Sequence, residues 1–352
     1  MKLHTCGSCS SPIYFENDVC LCCGSVVGYD AILGKLRSYH RAANGDLAPE
    51  DDRDAGTWVY CSNHDRYGVC NWVVPKGDPT GLCISCRLNR TIPDLSNASN
   101  LLKWSKIEFA KSRLVAALLE YGLPVISKSE DAQRGLAFDF LENPPGSQVD
   151  QSKRVLTGHE DGVITLNIEE ADDALREAAR EQMGEPYRTL LGHFRHESGH
   201  YYWDLLIRDD AARLHAFHQL FGDERVDYAT ALQHHYQNGP GDDWQEKHVT
   251  SYAASHPWED WAETWAHYFH ITDTLETAAA HGLSVGNEAH RFYVTGNRSM
   301  PIKEIGMEWH EVRTLLNNMN RSMGLPDAYP FVLSDTILQK LSFVSDVCHA
   351  AG

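Results

Sequence analysis

From residue 98 onward, apolar residues fall mostly at helical spacing. In 98–122, Leu101, Trp104, Ile107, Leu114, Leu118 and Leu119 form one stripe, which Gly122 and Pro124 end. Residues 186–206, PYRTLLGHFRHESGHYYWDLL, open with a proline suited to a first helical turn. Their apolar residues, from Leu190 and Phe194 to Trp203 and Leu206, predict a helix buried on more than one side. Residues 211–247 read as helical with a polar break, QNGPGDDW, at 237–244. Another helix is expected from Pro257, preceded by Ser255 or His256, and carries Trp258, Trp261, Trp265, Tyr268 and Phe269. Residues 304–324 and the apolar run Ile337–Val347 complete the helical set.

Strand character is confined to shorter stretches. Leu136–Leu141 is one, and Val155-Leu156 pairs with Val163–Ile168 across His159-Glu160-Asp161-Gly162, with Asp-Gly as the turn signal. Ile13-Tyr14-Phe15 is a short strand in the first 30 residues. The pattern predicts an α+β chain, mainly helical with a small β-sheet after residue 98, preceded by small modules at 1–30 and 31–97, the second ending in a linker.

With 352 residues and 42% hydrophobic content the chain can build a sizeable core. The formal net charge of −18 argues against nucleic acid as a partner, because neutralising phosphates needs a basic face. No run of about 18 apolar residues could span a membrane, and no signal-like apolar run opens the sequence. Nine of the 10 cysteines lie within residues 6–86, and the Cys-x-x-Cys spacing among them suits metal binding in a reducing, cytoplasmic setting better than disulfides.

Cys6-x-x-Cys9 and Cys20-x-x-Cys23 form a two-knuckle set that can place four thiolates around Zn²⁺. Gly7 and Gly24 are expected in the two turns, and Cys22 is the odd residue, since only Cys23 keeps the two-residue gap. A module this small relies on its metal to fold. Cys61, Cys70, Cys83 and Cys86 form a second set with an irregular first half; Cys61-x-x-His64 is the rival pairing that would leave Cys70 free. The acidic loop GDLAPEDDRDAG between the sets reads as an exposed connection. Cys348 stands apart and reads as an unliganded thiol.

The chemistry centres on His196-Glu197-Ser198-Gly199-His200. Residues four apart share a helix face, so both imidazoles can address one ion, and Glu197 can serve as general base to a water on it. Such a site needs a third protein ligand. Glu259 and Glu263, four apart on the helix from Pro257, are both candidates: one would bind the ion, the other would hydrogen-bond a ligand histidine. His193 shares the face and reads as a supporting or core residue; His215, His218, His234 and His235 carry no assigned role. Val163–Ile168 could pair with an extended substrate, or be an ordinary sheet strand.

Together, CGSCSSPIYFENDVCLCCGSVVG, YGVCNWVVP, CISCRLNRTIPDLS, MGEPYRTLLGHFRHESGHYYWD, FGDERVDY and HPWEDWAETWAHYFH resemble bacterial zinc-binding metallopeptidases that carry an N-terminal zinc ribbon. The catalytic half also resembles the gluzincins. In toxin-type gluzincins a Tyr lies seven residues before the ligand Glu in a Tyr…Glu-x-x-Ala-Glu pattern, matched here by Tyr252 and Glu259-Asp260-Trp261-Ala262-Glu263. The resemblance implies a rubredoxin-like ribbon over 1–30, a second four-cysteine zinc module and linker over 31–97, and a gluzincin-like catalytic domain over 98–352. It implies two structural zinc ions and one catalytic zinc on His196, His200 and Glu259, with Glu263 behind a ligand histidine. Glu197 is then the base and Tyr252 the oxyanion donor for hydrolysis of a peptide or protein substrate. The alternative is a non-catalytic zinc protein that binds a protein partner through its ribbons.

Overall fold

The computed structural model describes residues 2–52, 56–144, 153–183, 185–283 and 301–351. The last part of the acidic loop, 53–55, lies outside the described residues. About half of the chain is helical, with small sheets in its first half. Packing divides it into two units, one of residues 2–120 and 125–179, the other of residues 121–124 and 180–352.

The first unit begins with the hairpin β1 (His4–Thr5) and β2 (Pro12–Ile13). The expected strand through Phe15 stops at Ile13, because the Tyr14 amide turns onto Asn17 Oδ1 at 2.6 Å. Next come β3 (Val26–Asp30), β4 (Lys35–Arg41), β5 (Leu47–Pro49), β6 (Trp58–Tyr60), the short helix α1 (Ser62–Tyr67) and β7 (Trp72–Pro75). The five strands β3 to β7 close into a barrel around Tyr39, Leu47, Trp58, Tyr60 and Val73. The barrel runs through residue 30, so β3 belongs with the strands that follow it.

β8 (Asn89–Thr91), α2 (Ala98–Glu120), β9 (Ala137–Leu141), β10 (Gly158–Glu160) and β11 (Val163–Asn167) follow. The sheet order is β10-β11-β9-β8, with β11 parallel to β9. β11 therefore lies inside the sheet, with β9 along Val163–Asn167 and β10 beside Val163–Thr165, which is the ordinary sheet strand of the two readings over those three residues. The Asp-Gly turn is present, with Asp161 and Gly162 both at positive φ (47° and 75°) as a two-residue hairpin requires. The strand before it begins at Gly158 and not at Val155, whose amide is held by Asn143 Oδ1 at 2.8 Å.

α2 buries Trp104, Ile107, Leu114 and Leu118 as its stripe predicts, and also a charged pair, Glu108 and Lys111, 2.5 Å apart and fully buried. Lys111 Nζ donates to Ser85 O at 2.9 Å, and Glu108 Oε1 lies 3.4 Å from Cys86 Sγ. The helix thus packs under the second cysteine set.

α3 (Asp173–Met183) leads to α4 (Leu190–Leu206), α5 (Ala211–Leu220), α6 (Tyr228–Asn238), α7 (Trp244–Lys247), α8 (Pro257–Ala280), α9 (Ile302–Ser322) and α10 (Asp335–Ala351). α4 starts four residues later than Pro186 suggests, because Thr189 caps it, its Oγ1 accepting from Gly192 N at 3.0 Å. α8 starts at Pro257 as expected, capped by His256 Nδ1, which accepts from Trp258 N.

α4 and α8 form the core of the second unit. Trp261 Nε1 donates to Gly199 O at 2.8 Å, and Trp265 Nε1 to Ser198 Oγ at 3.2 Å. The Trp265 ring stacks on Tyr202, 5.1 Å between centroids. Two indole N–H groups would be costly to bury unpaired, so these bonds fix the register of α8 against α4. α10 is tied to α8 by Lys340 Nζ, 2.5 Å from Asp260 Oδ2, and by Tyr268 Oη on Ser345 Oγ. Cys348 is buried on α10, outside both cysteine groups. Among the described residues, no helix is long and apolar enough to cross a membrane.

Candidate metal centres

The sulfurs of Cys6, Cys9, Cys20 and Cys23 lie within 4.8 Å of one another, with Cys6 and Cys23 at 3.7 Å and Cys9 and Cys20 at 3.6 Å. A zinc–sulfur bond of ~2.3 Å in a tetrahedron gives an edge of about 3.8 Å, so the group fits Zn²⁺ without rearrangement. The two knuckles repeat one backbone pattern: Cys6 N bonds Ser11 O and Ser10 N bonds Cys6 O, as Cys20 N bonds Ser25 O and Gly24 N bonds Cys20 O. The left-handed position is Gly24 in one knuckle (φ 77°) and Ser10, not Gly7, in the other (φ 61°). Gly7 instead donates its amide to Ser38 Oγ at 2.8 Å. Cys22 is exposed and outside the group.

Cys61, Cys70, Cys83 and Cys86 form the second group, all four buried. The irregular gap between Cys61 and Cys70 is filled by α1 and closed by Gly68 in the left-handed conformation. Amide N–H groups of Trp72, Cys83 and Cys86 point at Cys70, Cys61 and Cys83 sulfurs, each at 3.4 Å, which favours thiolates. His64 turns away, its Nδ1 2.8 Å from Cys70 O and its ring stacked on Tyr60.

The third group joins α4 to α8. His196 Nε2 lies 3.3 Å from His200 Nε2 and 3.0 Å from Glu259 Oε2, which is 3.6 Å from His200 Nε2. On its other side, His196 Nδ1 lies 2.7 Å from Glu263 Oε1, while Thr250 Oγ1 donates to Glu263 Oε2 at 2.8 Å. Glu259 Oε2 is buried and no hydrogen bond reaches it. With both imidazoles neutral and protonated on Nδ1, as ligation through Nε2 requires, three lone-pair atoms meet at one point. That arrangement is repulsive unless a cation sits among them. The titration preferences agree. Burial disfavours a charged His196, but Glu259 and Glu263 outweigh it and hold its pKa well above the usual histidine value. Burial pushes Glu259 up, yet His200 and His196 draw it well below the usual carboxylate range. The site is built for positive charge, and the donor set of two imidazoles and a carboxylate suits Zn²⁺.

Glu197 is buried beside this group, and burial pushes its carboxylate up. Tyr252 sits on the short 3₁₀ turn Tyr252–Ser255, its ring 6.0 Å from His196. His193 lies outside the ligand cluster.

Two features escape sequence reading. Tyr228, at the start of α6, donates from Oη to Glu259 Oε1 at 2.7 Å; it lies in FGDERVDY, but 31 positions from its partner. His218, Asp223 and Glu224 also cluster, with His218 Nε2 2.5 Å from Glu224 Oε2, although the Arg225 guanidinium already pairs with Asp223.

The sequence model of a family described as "Putative zinc-binding metallo-peptidase" matches residues 100–347, and one described as "zinc-ribbon domain" matches residues 3–97. The chain belongs to this metallo-peptidase family and carries the zinc ribbon ahead of it. It is 42% identical over 347 residues to the uncharacterized proteins Mb2598c of Mycobacterium bovis and Rv2568c of Mycobacterium tuberculosis, covering 99% of this chain and 95% of each relative. No solved structure matches.

Proposed function

We propose that the chain is a zinc-dependent peptidase with a gluzincin-like catalytic domain. One catalytic zinc would sit on His196, His200 and Glu259, and one structural zinc in each four-cysteine group. The observation that carries this reading is the convergence of His196 Nε2, His200 Nε2 and the buried Glu259 Oε2 on one point. Zn²⁺ there supplies Lewis acidity toward a water and the scissile carbonyl. Glu197, adjacent to the first ligand and raised in basicity by burial, takes the proton of the attacking water and delivers it to the departing amine. Glu263 keeps the His196 proton on Nδ1, so that Nε2 is free to ligate. Tyr252, its ring 6.0 Å from His196, offers a phenol to the oxyanion.

The substrate class is a peptide or protein, the setting is cytoplasmic, and neither nucleic acid nor membrane is a partner. A second reading, a non-catalytic platform that docks a protein through its ribbons, draws on Tyr14 and Leu21, exposed at 73% and 84% on the first ribbon. The buried Glu197 weighs against it, because a purely structural ion has no use for a base there.

Metal content per chain, with cleavage of labelled casein, tests the reading. Wild type should carry three zinc ions and His196→Ala/His200→Ala two. Glu197→Gln should keep three and lose activity by about 10²–10⁴-fold. Two zinc ions in both the wild type and the double variant, even after zinc is added, would leave the platform as the better account.

A further inference from the structure

We propose that Tyr228 is a positioning residue of the metal centre: its hydroxyl holds Glu259 to the ion through one oxygen only. The inference rests on the third metal site described above. Glu259 divides its two oxygens: Oε2 faces the imidazoles with no hydrogen bond, while Oε1 accepts from Tyr228 Oη at 2.7 Å. A carboxylate can bind an ion through one oxygen or both. A phenol proton on Oε1 draws electron density from that oxygen and disfavours the two-oxygen mode. The fourth position is thereby kept for water and substrate.

Tyr228 thus acts on the reaction through Glu259 and needs no contact with the substrate.

Its placement is built in. Asp227 caps α6, accepting from Thr230 N at 2.8 Å, which fixes Tyr228 as the first helical residue. His256, three residues before Glu259, accepts from Trp258 N with Nδ1, so its proton lies on Nε2 and is donated to Val226 O at 3.0 Å. The His256 ring meets the Tyr228 ring edge-on at 5.1 Å. The starts of α6 and α8 are therefore joined at the level of the Tyr228–Glu259 bond.

The test uses the full chain with zinc kept in both four-cysteine groups and the third site stripped by a mild chelator and titrated with Co²⁺. The visible spectrum distinguishes four- from five-coordinate cobalt, and chelator competition gives the affinity. In Tyr228→Phe the affinity should fall by about 10–100-fold, the range for a lost partner of a ligand, and the bands should weaken toward five-coordinate intensity. Tyr252→Phe should leave both unchanged. Tyr228→His, which keeps a ring and an N–H donor, should recover part of the affinity, and this variant decides the matter if Tyr228→Phe does not fold. Wild-type affinity and spectrum in Tyr228→Phe, or no recovery in Tyr228→His, would overturn the inference while leaving the metal site intact. Failure of the wild type to take up cobalt would instead sink the metal-site reading on which it rests.

Discussion

Glu263 Oε1 lies 2.7 Å from His196 Nδ1, on the side of the ring opposite the Nε2 that faces His200 and Glu259. In the proposed site the two glutamates that share one face of α8 would thus divide the work: Glu259 meets the imidazoles at the point of convergence, and Glu263 would set the tautomer behind one of them. Glu263→Gln should weaken metal binding at this site by about 10–100-fold while leaving it measurable. Glu259→Ala should remove it. Chelator competition on both variants checks this, and equal losses would show that the division of roles is wrong.

Gly199 separates the helices at the ligand level. A Cβ there would lie 3.0 Å from Ala262 Cα and 3.2 Å from Trp265 Cβ, and the backbone on the α8 side cannot yield as a flexible side chain could. Gly199→Ala should therefore destabilise the fold by about 1–3 kcal/mol despite alanine's better helix propensity. Because His200 follows directly, metal affinity at the third site should fall as well. A melting temperature at or above that of wild type would contradict the close packing of α4 on α8.

What could be read from the chain alone was local. The start of α8, the Asp-Gly hairpin and the three Cys-x-x-Cys pairs are short-range signals, and they describe the structure well. Glu259 and Glu263 were equivalent by spacing, since both lie on one helix face; the Tyr…Glu-x-x-Ala-Glu resemblance favours Glu259 as the ligand. Long-range partners left no trace. Glu108 and Lys111 look like a solvated pair on a helix surface, yet both are fully buried under the second cysteine group. Tyr228 reads as a tyrosine at a helix start until Glu259 is brought to it. The barrel was hidden because its strands are as short as three residues and interrupted by α1 and the cysteine turns. β11 carries the apolar run of an interior strand, which periodicity alone does not separate from a half-exposed one.

The second cysteine group yields a sharper contrast. Cys70 Sγ lies 3.7 Å from Cys83 Sγ, whereas the His64 ring is committed to Cys70 O and Tyr60. Cys70→Ala should lose one structural zinc and expose the core beneath α2, with a loss of folded protein. His64→Ala should keep the full zinc content and cost about 1 kcal/mol through the lost hydrogen bond and ring contact. Zinc analysis that finds the reverse would restore the Cys61-x-x-His64 pairing.

His267 makes the acid stability of the helical unit predictable in sign. It is buried on α8, its Nδ1 2.5 Å from Tyr329 Oη and its ring 4.6 Å from Phe331. Burial lowers its pKa from 6.5 to about 4; the nearby Glu263 opposes the shift and is outweighed. The folded protein therefore keeps His267 neutral where the unfolded chain would already bind a proton. Above pH 6.5 both states are neutral and the group costs nothing. As pH falls from 6.5 toward 4, unfolding gains a proton and stability falls, by up to about 3 kcal/mol for a shift of this size. His267→Gln cannot gain that proton. It should be less stable at neutral pH, through lost packing, but should lose about 3 kcal/mol less than wild type between pH 6.5 and 4. Zinc release by acid is common to both proteins, so the difference between their denaturant midpoints across this range isolates the histidine. Parallel pH profiles would mean that His267 is protonated in the folded protein, and that its contact with Tyr329 carries a charge.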